Sequence, residues 1–175
     1  MQPIIYDVAV SLDGFISGPD GDISRFAQTG PVVEDYAARL AGYGTAIMGR
    51  KTYEFGYAYG LAAGQNPYPT METLVFSRSL RVPEGSAISV IAEDWTARLR
   101  ALKARATKPI YLCGGGAFAG WALDQGLIDR VILKRAPCCY GGGVALFGAT
   151  QPRGFKRLSS KSYDNGYLLE SFGLD

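Results

Sequence analysis

"IYLCGGGAFAGWALDQGLIDRVIL", residues 110–133, carries a short apolar run into three consecutive glycines, Gly114 to Gly116, and out again into a segment with helical spacing. Ile110 to Cys113 has the length and apolarity of a buried strand. Phe118, Trp121 and Ala122 then fall on one helical face, and Gly126 is placed to end that helix. "IDRVILKRAP" returns as a strand. Strand, glycine turn, helix and strand together make one crossover unit, whose natural product is a pair of parallel strands.

Working outward, the same order recurs upstream. Ile4, Tyr6, Val8 and Val10 mark a strand near the middle of a sheet, followed by the turn-rich "DGFISGPDGD". Val33, Tyr36, Ala37 and Leu40 repeat at helical spacing, and Gly42 and Gly44 close the segment. "TAIMGRKTYEF" is a second strand, glycine and helix, with Gly49 as the turn. After the irregular "GQNPYP", Thr73 to Phe76 form a short strand ending in "SRS", and "ISVI" is another. Trp95, Leu99 and Leu102 share one face of a helix over Asp94 to Ala106, with Asp94 as its cap. Downstream the character changes, because "FKRLSSKSYDNGYLLESF" is two β-rich runs around Asn165-Gly166, a hairpin signal. The expected architecture is one α/β domain over 1–175: three layers, α/β/α, around a mainly parallel mixed sheet with a C-terminal antiparallel hairpin.

Composition supports a folded chain and narrows its chemistry. Of 175 residues, 47% are hydrophobic and 19% charged, which suits one sizeable core. A formal charge of +2, without a long basic run, argues against nucleic acid as a partner. The chain has no His, so the usual base of Ser and Cys triads and the commonest transition-metal ligand are missing. Cys113, Cys138 and Cys139 lack metal-ligand spacing, and no metal site is expected. Reduced thiols and the lack of a membrane-length apolar run point to a soluble cytoplasmic protein.

In an open α/β sheet, ligands bind where strands end and helices begin. Three such junctions carry anion-compatible residues. Gly114, Gly115 and Gly116 let the backbone approach a phosphate, and the helix start at Ala117 and Phe118 offers unpaired N–H groups. Tight strand-to-helix packing is the alternative use of those glycines. Gly49, Arg50, Lys51 and Thr52 bring two cations and a hydroxyl to the second junction, and Ser77 and Arg78 bring a hydroxyl and a guanidinium to the third. Three such ends on one edge suit a ligand with phosphates spread along it, such as a dinucleotide with a 2′-phosphate. The spacing is not that of an ordinary Rossmann domain, which begins with its glycine motif, nor of a P-loop, which needs Lys-Ser or Lys-Thr after the glycines.

Taken in order, "SLDGFISGPDGD", "MGRKTYE", "VFSRSL", "GGGAFAGWALDQGLIDRVIL" and "GGGVALF" resemble the dihydrofolate reductase-like superfamily. The likeness is to the bacterial branch that shares the C-terminal reductase domain of the riboflavin-biosynthesis protein, and it spans nearly the whole chain. It implies NADPH as hydride donor and a pteridine- or pyrimidine-like substrate, and by analogy a homodimer. Gly49 to Thr52 then match the segment around the adenosine phosphates, Ser77 and Arg78 the 2′-phosphate neighbourhood, and Gly114 to Phe118 the pyrophosphate loop. "SLDGFI" borders nicotinamide and substrate in the family, which makes Asp13 and Gly14 site candidates.

The chain departs from the pattern where substrate is held. The Trp-containing loop and helix-start carboxylate of true dihydrofolate reductases have no match in "ISRFAQTGPVVEDYAARL". Cys113 stands where the riboflavin branch commonly has an acid, and Cys138 and Cys139 lie inside the Pro137, Gly141, Gly143 segment. Hydride transfer asks mainly for orientation and a dry pocket. Asp13 is the first candidate for a proton donor, with ordered water, Asp22, Glu34 and Asp35 as competitors and a plain turn before Gly14 as its structural alternative. Tyr53 and the aromatics after it are candidates to stack on a flat heterocycle, or to pack in the core. The leading expectation is an NADPH-dependent reductase of a small planar heterocycle. The alternatives are the uracil-reductase step of riboflavin synthesis, a non-catalytic nucleotide-binding protein with the same pocket, and a structural protein.

Overall fold

The computed structural model describes residues 1–174. Ten strands and four α-helices follow one another as β1 (Ile4–Val10), β2 (Phe15–Ser17), α1 (Pro31–Leu40), β3 (Thr45–Gly49), α2 (Arg50–Phe55), β4 (Glu72–Phe76), β5 (Ser89–Ile91), α3 (Trp95–Arg105), β6 (Ile110–Gly114), α4 (Gly116–Asp124), β7 (Arg130–Arg135), β8 (Val144–Ala145), β9 (Phe155–Ser162) and β10 (Leu168–Leu174). Eight of the strands form one sheet in the order β5-β4-β3-β6-β1-β7-β10-β9. From β5 to β7 every pairing is parallel, and β10 and β9 add the antiparallel edge. The expected three-layer, mainly parallel architecture is the one observed.

Alternation along the central strand explains the layers. Ile4, Tyr6, Val8 and Val10 of β1 pack with Leu99, Leu102, Phe118 and Leu123 from α3 and α4. Ile5 faces the opposite side, with Tyr43, Met48, Tyr53 and Tyr111, next to α1 and α2. Because side chains alternate every residue, Asp7 and Ala9 share that second face. A strand covered on both sides should be apolar throughout. Asp7, fully buried at the middle of β1, is the exception.

One local reading needs adjustment, the hairpin forms where expected, and one pairing had no counterpart in the sequence patterns. Asp94 does precede α3, but its side chain makes no capping bond and its backbone lies at φ 53, so the helix starts without the expected cap. The C-terminal hairpin turns through a loop in which Gly166 is at φ +82 while Asn165 is not at positive φ, as in three-residue hairpin loops closed by a left-handed glycine. The two-stranded pairing of β2 with β8 was not expected. It brings the loop after β1 against residues more than a hundred positions later, a contact with no local signature.

Candidate functional site

The carboxyl ends of β3, β4 and β6 lie side by side, because β3 pairs with both β4 and β6. Their glycine-rich junctions therefore converge. A Cβ at Gly115 would stand 3.0 Å from Thr52 Oγ1, and one at Gly49 would stand 3.2 Å from the Phe118 Cβ. Phe76, the last residue of β4, stacks on Phe118 with ring centroids 5.0 Å apart, which draws Ser77 and Arg78 to the same edge. Gly114 and Gly115 thus lie beside Thr52 and Phe118 beside Gly49, while Gly116 and Ala117 face the segment around Ala145 and Gly148. The N–H groups of the first turn of α4 have no acceptor within the helix, and the turn ends at Ala119, whose N–H donates to the Gly115 carbonyl at 2.9 Å.

The glycines serve packing as well. A Cβ at Gly116 would come within 2.0 Å of the Ala145 carbonyl oxygen, and one at Gly120 within 3.1 Å of the Gly148 nitrogen. Gly148 N–H donates to the Gly116 carbonyl at 2.7 Å. Small residues on α4 therefore let the 144–149 segment lie directly on the helix. Both uses of the triple glycine, close packing and an open donor edge, occur in one turn.

The cations of this edge are surface groups. Arg50 reaches Glu54 at 3.1 Å on the next turn of α2, and Lys51 is exposed. The Arg78 guanidinium lies 5.9 Å from the Trp95 ring centroid. Beside it, a hollow of about 470 Å³ is lined by Arg78, Trp95, Arg100 and Trp121, with Asp94 and Glu93 at its rim. Ser77 is buried, and its oxygen accepts the N–H groups of Ser79 and Leu80 at 3.1 and 2.9 Å. That makes Ser77 a turn-former first, and Arg100 on α3 a cation that the motif reading missed.

A second cleft, also about 470 Å³, opens beside this edge on the α1 and α2 face of the sheet. Its lining includes Thr52, Tyr53, Tyr36, Tyr68, Tyr111, Cys113 and Ile16. Tyr53 contributes its ring, while its hydroxyl donates to the Gln65 carbonyl at 2.9 Å and holds the 62–65 loop. Tyr36 and Tyr111 share a hydroxyl–hydroxyl bond of 2.6 Å, and Tyr68 meets Tyr111 edge to face. Burial raises the pKa of Tyr36, Tyr68 and Tyr111 and pushes the Cys113 thiol up to about 12, so the walls carry neutral hydroxyls and a neutral thiol.

Asp13 and Gly14 do not line this cleft. The Asp13 carboxylate accepts Ser11 Oγ at 2.6 Å, Gly141 N–H at 2.7 Å and Tyr140 N–H at 3.1 Å, clamping the loop after β1 to the loop after β7. The Ser11 hydroxyl and those backbone N–H groups hold its carboxyl below the usual range, a poor setting for a proton donor. Gly14, at φ +86, offers its carbonyl to Leu146 N–H at 2.9 Å and so helps seat the same crossover. The other acids weighed for that role also lie outside the lining: Asp22 accepts Ser24 N–H, and Asp35 binds Lys161 and Tyr163.

Among the described residues, the one carboxylate lining the cleft is Asp7, and with it comes Lys134 from β7. Asp7 Oδ2 accepts Arg39 Nε at 2.8 Å and the Tyr43 hydroxyl at 3.1 Å. Its Oδ1 accepts Lys134 Nζ at 3.1 Å and the second Arg39 nitrogen at 3.2 Å. Burial alone would raise this carboxyl, but Lys134 and Arg39 outweigh it and hold the pKa below the ordinary value. Lys134 Nζ also sits 3.3 Å from the Tyr36 ring centroid. Neither residue was a candidate from its sequence neighbourhood. The available signal was a charge inside a strand that is otherwise buried, which must find a partner when the sheet forms.

No helix among the described residues is long and apolar enough to cross a membrane, and no cluster of potential metal ligands is found among them.

Comparison with known proteins agrees with this fold. Over 100% of its length the chain superposes on the crystal structure of a putative riboflavin biosynthesis protein from Shewanella sp. PV-4, covering 99% of that chain with a TM-score of 0.83 and 22% identity. Dihydrofolate reductase from Enterococcus faecalis, complexed with NADP(H), shares the fold at a TM-score of 0.71 and 12% identity, over 99% of this chain and 96% of that one. In sequence, the chain is 27% identical to the Bacillus subtilis protein YyaP over 94% of its length and 91% of the relative's. Residues 2–169 match the RibD C-terminal domain, and the chain belongs to that family.

Proposed function

We propose that this protein is an NADPH-dependent reductase that transfers a hydride to a small planar heterocycle held in the tyrosine-walled cleft. The observation that carries this reading is the junction itself. The helix start at Gly114 to Phe118 and the Gly49 to Thr52 turn meet edge to edge, and Thr52 belongs both to that edge and to the cleft. A dinucleotide laid along the edge would reach from the Arg78, Trp95 and Arg100 hollow to the mouth of the cleft.

The residues present fit such a cofactor. Unpaired N–H groups at the start of α4 suit a pyrophosphate, and the glycines let Thr52 and the 144–149 segment pack close against that turn. Arg50 and Lys51 supply compensating charge, while Arg78 and Arg100 flank a hollow with two indole walls, suited to a purine and a 2′-phosphate. Bound there, the reduced nicotinamide supplies the hydride. The chain supplies a flat aromatic slot and exclusion of water, and the family and fold shared with reductases support that division of labour.

Calorimetric titration with NADPH tests the reading. Wild-type protein should bind, and Arg50→Ala should weaken binding at least about tenfold, or roughly 1.4 kcal/mol. Absence of any binding at saturating NADPH would remove the reductase reading. Binding without loss of nicotinamide absorbance, across a panel of pteridines, pyrimidines and flavin precursors, would leave a nucleotide-binding protein instead.

A further inference from the structure

The cleft contains an ammonium group that cofactor binding does not explain. Lys134 lines the cleft with 9% of its side chain accessible. Its Nζ gives one hydrogen bond to Asp7 and packs against the Tyr36 ring. A lysine has three N–H donors, so donor capacity remains for a ligand. Asp7 has no corresponding spare capacity. Both its oxygens already accept two donors each, from Lys134, Arg39 and Tyr43. An amidine-like or diamino edge of a heterocycle, which needs a carboxylate acceptor, would find none free. A carbonyl oxygen would find Lys134, with the Tyr36 and Tyr111 hydroxyl pair on the adjoining wall.

We infer that Lys134, positioned by Asp7 and the Tyr36 ring, binds a ring carbonyl of the substrate and donates the proton that completes its reduction. The substrate class is then a planar heterocycle whose reducible carbon is conjugated to that carbonyl. This deepens the reductase reading and rests on it for the hydride. As the hydride bonds to the ring carbon, the π pair of the double bond moves through the conjugated system onto the carbonyl oxygen. The Lys134 ammonium stabilises the developing charge and gives that oxygen a proton, its N–H bond breaking as the O–H bond forms. The neutral amine regains its proton from solvent through the cleft.

The surroundings suit the role. Lys134 faces Asp7 on β1, Tyr36 and Arg39 on α1, Tyr43 in the turn after α1, and Tyr111 and Cys113 on β6. Burial and the Arg39 charge pull it down, Asp7 pushes it back up, and the outcome is about 8. A group titrating there holds its proton at neutral pH and can release it. Turnover should therefore fall as pH rises through about 8.

The test is a fluorescence titration with lumazine, which carries ring carbonyls, and with 2,4-diaminopteridine, which does not. No cofactor is needed, so the outcome is separable from that of the NADPH titration. Wild-type protein should prefer lumazine by at least about tenfold, Lys134→Gln should abolish that preference, and Lys134→Arg should retain it. Among lumazine-type compounds that are reduced, Lys134→Arg should lower kcat with little change in KM and remove the fall near pH 8. If Lys134→Gln fails to fold, Asp7→Asn/Lys134→Gln leaves the net charge of the Asp7, Lys134 and Arg39 cluster unchanged and reports the same loss of preference. Equal or tighter binding of the diamino compound, no lumazine binding by wild-type protein, or an unaltered preference in the Gln variants would overturn the proposal.

Discussion

The two hollows that meet at Thr52 are built on opposite principles. The edge formed by the β3, β4 and β6 junctions uses backbone: glycines, unpaired N–H groups and exposed arginines that remain solvated. The tyrosine-walled cleft uses side chains, and its centre is an ion cluster of Asp7, Lys134 and Arg39 in which the carboxylate is fully buried and Lys134 nearly so. Charges on the first are cheap to change because water replaces a lost partner. Charges on the second are not, since removing one leaves the other without compensation.

Breaking that contrast at its strongest point gives the largest effect. Asp7→Ala leaves Lys134 and Arg39 without their carboxylate and should cost about 3–5 kcal/mol in urea unfolding. The same cluster predicts a pH signature. The Asp7 carboxyl is lowered in the fold, so its contribution is complete above the ordinary carboxylate range and is lost as pH falls through the folded value. Lys134 is a base lowered to about 8 from 10.5, so its charged form is disfavoured by the fold, and its contribution improves as pH rises between those values. In Asp7→Asn/Lys134→Gln the rise between about 8 and 10.5 should be absent from the unfolding free energy, and the acid-side loss should shrink to the part that carboxylates such as Asp13 and Asp35, also lowered in the fold, contribute. An undiminished acid-side loss, or a retained rise, would mean that other groups produce the trend.

Gly116→Ala strikes the backbone-built edge where it is also packed. Its Cβ would meet the Ala145 carbonyl, which is main chain and cannot swing away. A loss of about 1–3 kcal/mol in stability is expected, together with weaker NADPH binding. Intact stability would show that the 144–149 segment yields easily.

Arg50→Ala should lower NADPH affinity by about tenfold while changing stability by no more than about 0.5 kcal/mol, because the Arg50–Glu54 pair is half-exposed and within one helix. The smallest effect sharpens the comparison from the other side. Glu54→Ala releases Arg50 from its intrahelical partner and should raise NADPH affinity about two- to threefold by the same affinity arithmetic. A fall in affinity would place Glu54 in contact with the cofactor.

Sequence pattern alone determined the layered α/β fold and the outline of the glycine-rich edge. Each of those junctions is local: a few apolar residues, a glycine, then a helical face, all within about a dozen positions. Such features survive in one dimension, since strand, turn and helix are adjacent in the chain. Asp13 shows the limit of that reading. A motif placed it near chemistry, but only the fold revealed that Ser11, Tyr140 and Gly141 surround its carboxylate. Residues 7, 39, 43 and 134 come from β1, α1, the turn after it and β7, and no local spacing links them. They meet because β7 pairs with β1 in the register that sets Asp7 beside Ile132 and Ala9 beside Lys134, and because α1 covers that face. The sequence could say that a buried aspartate needs a partner; tertiary structure decided which one, because the partner is supplied by strand register and helix packing.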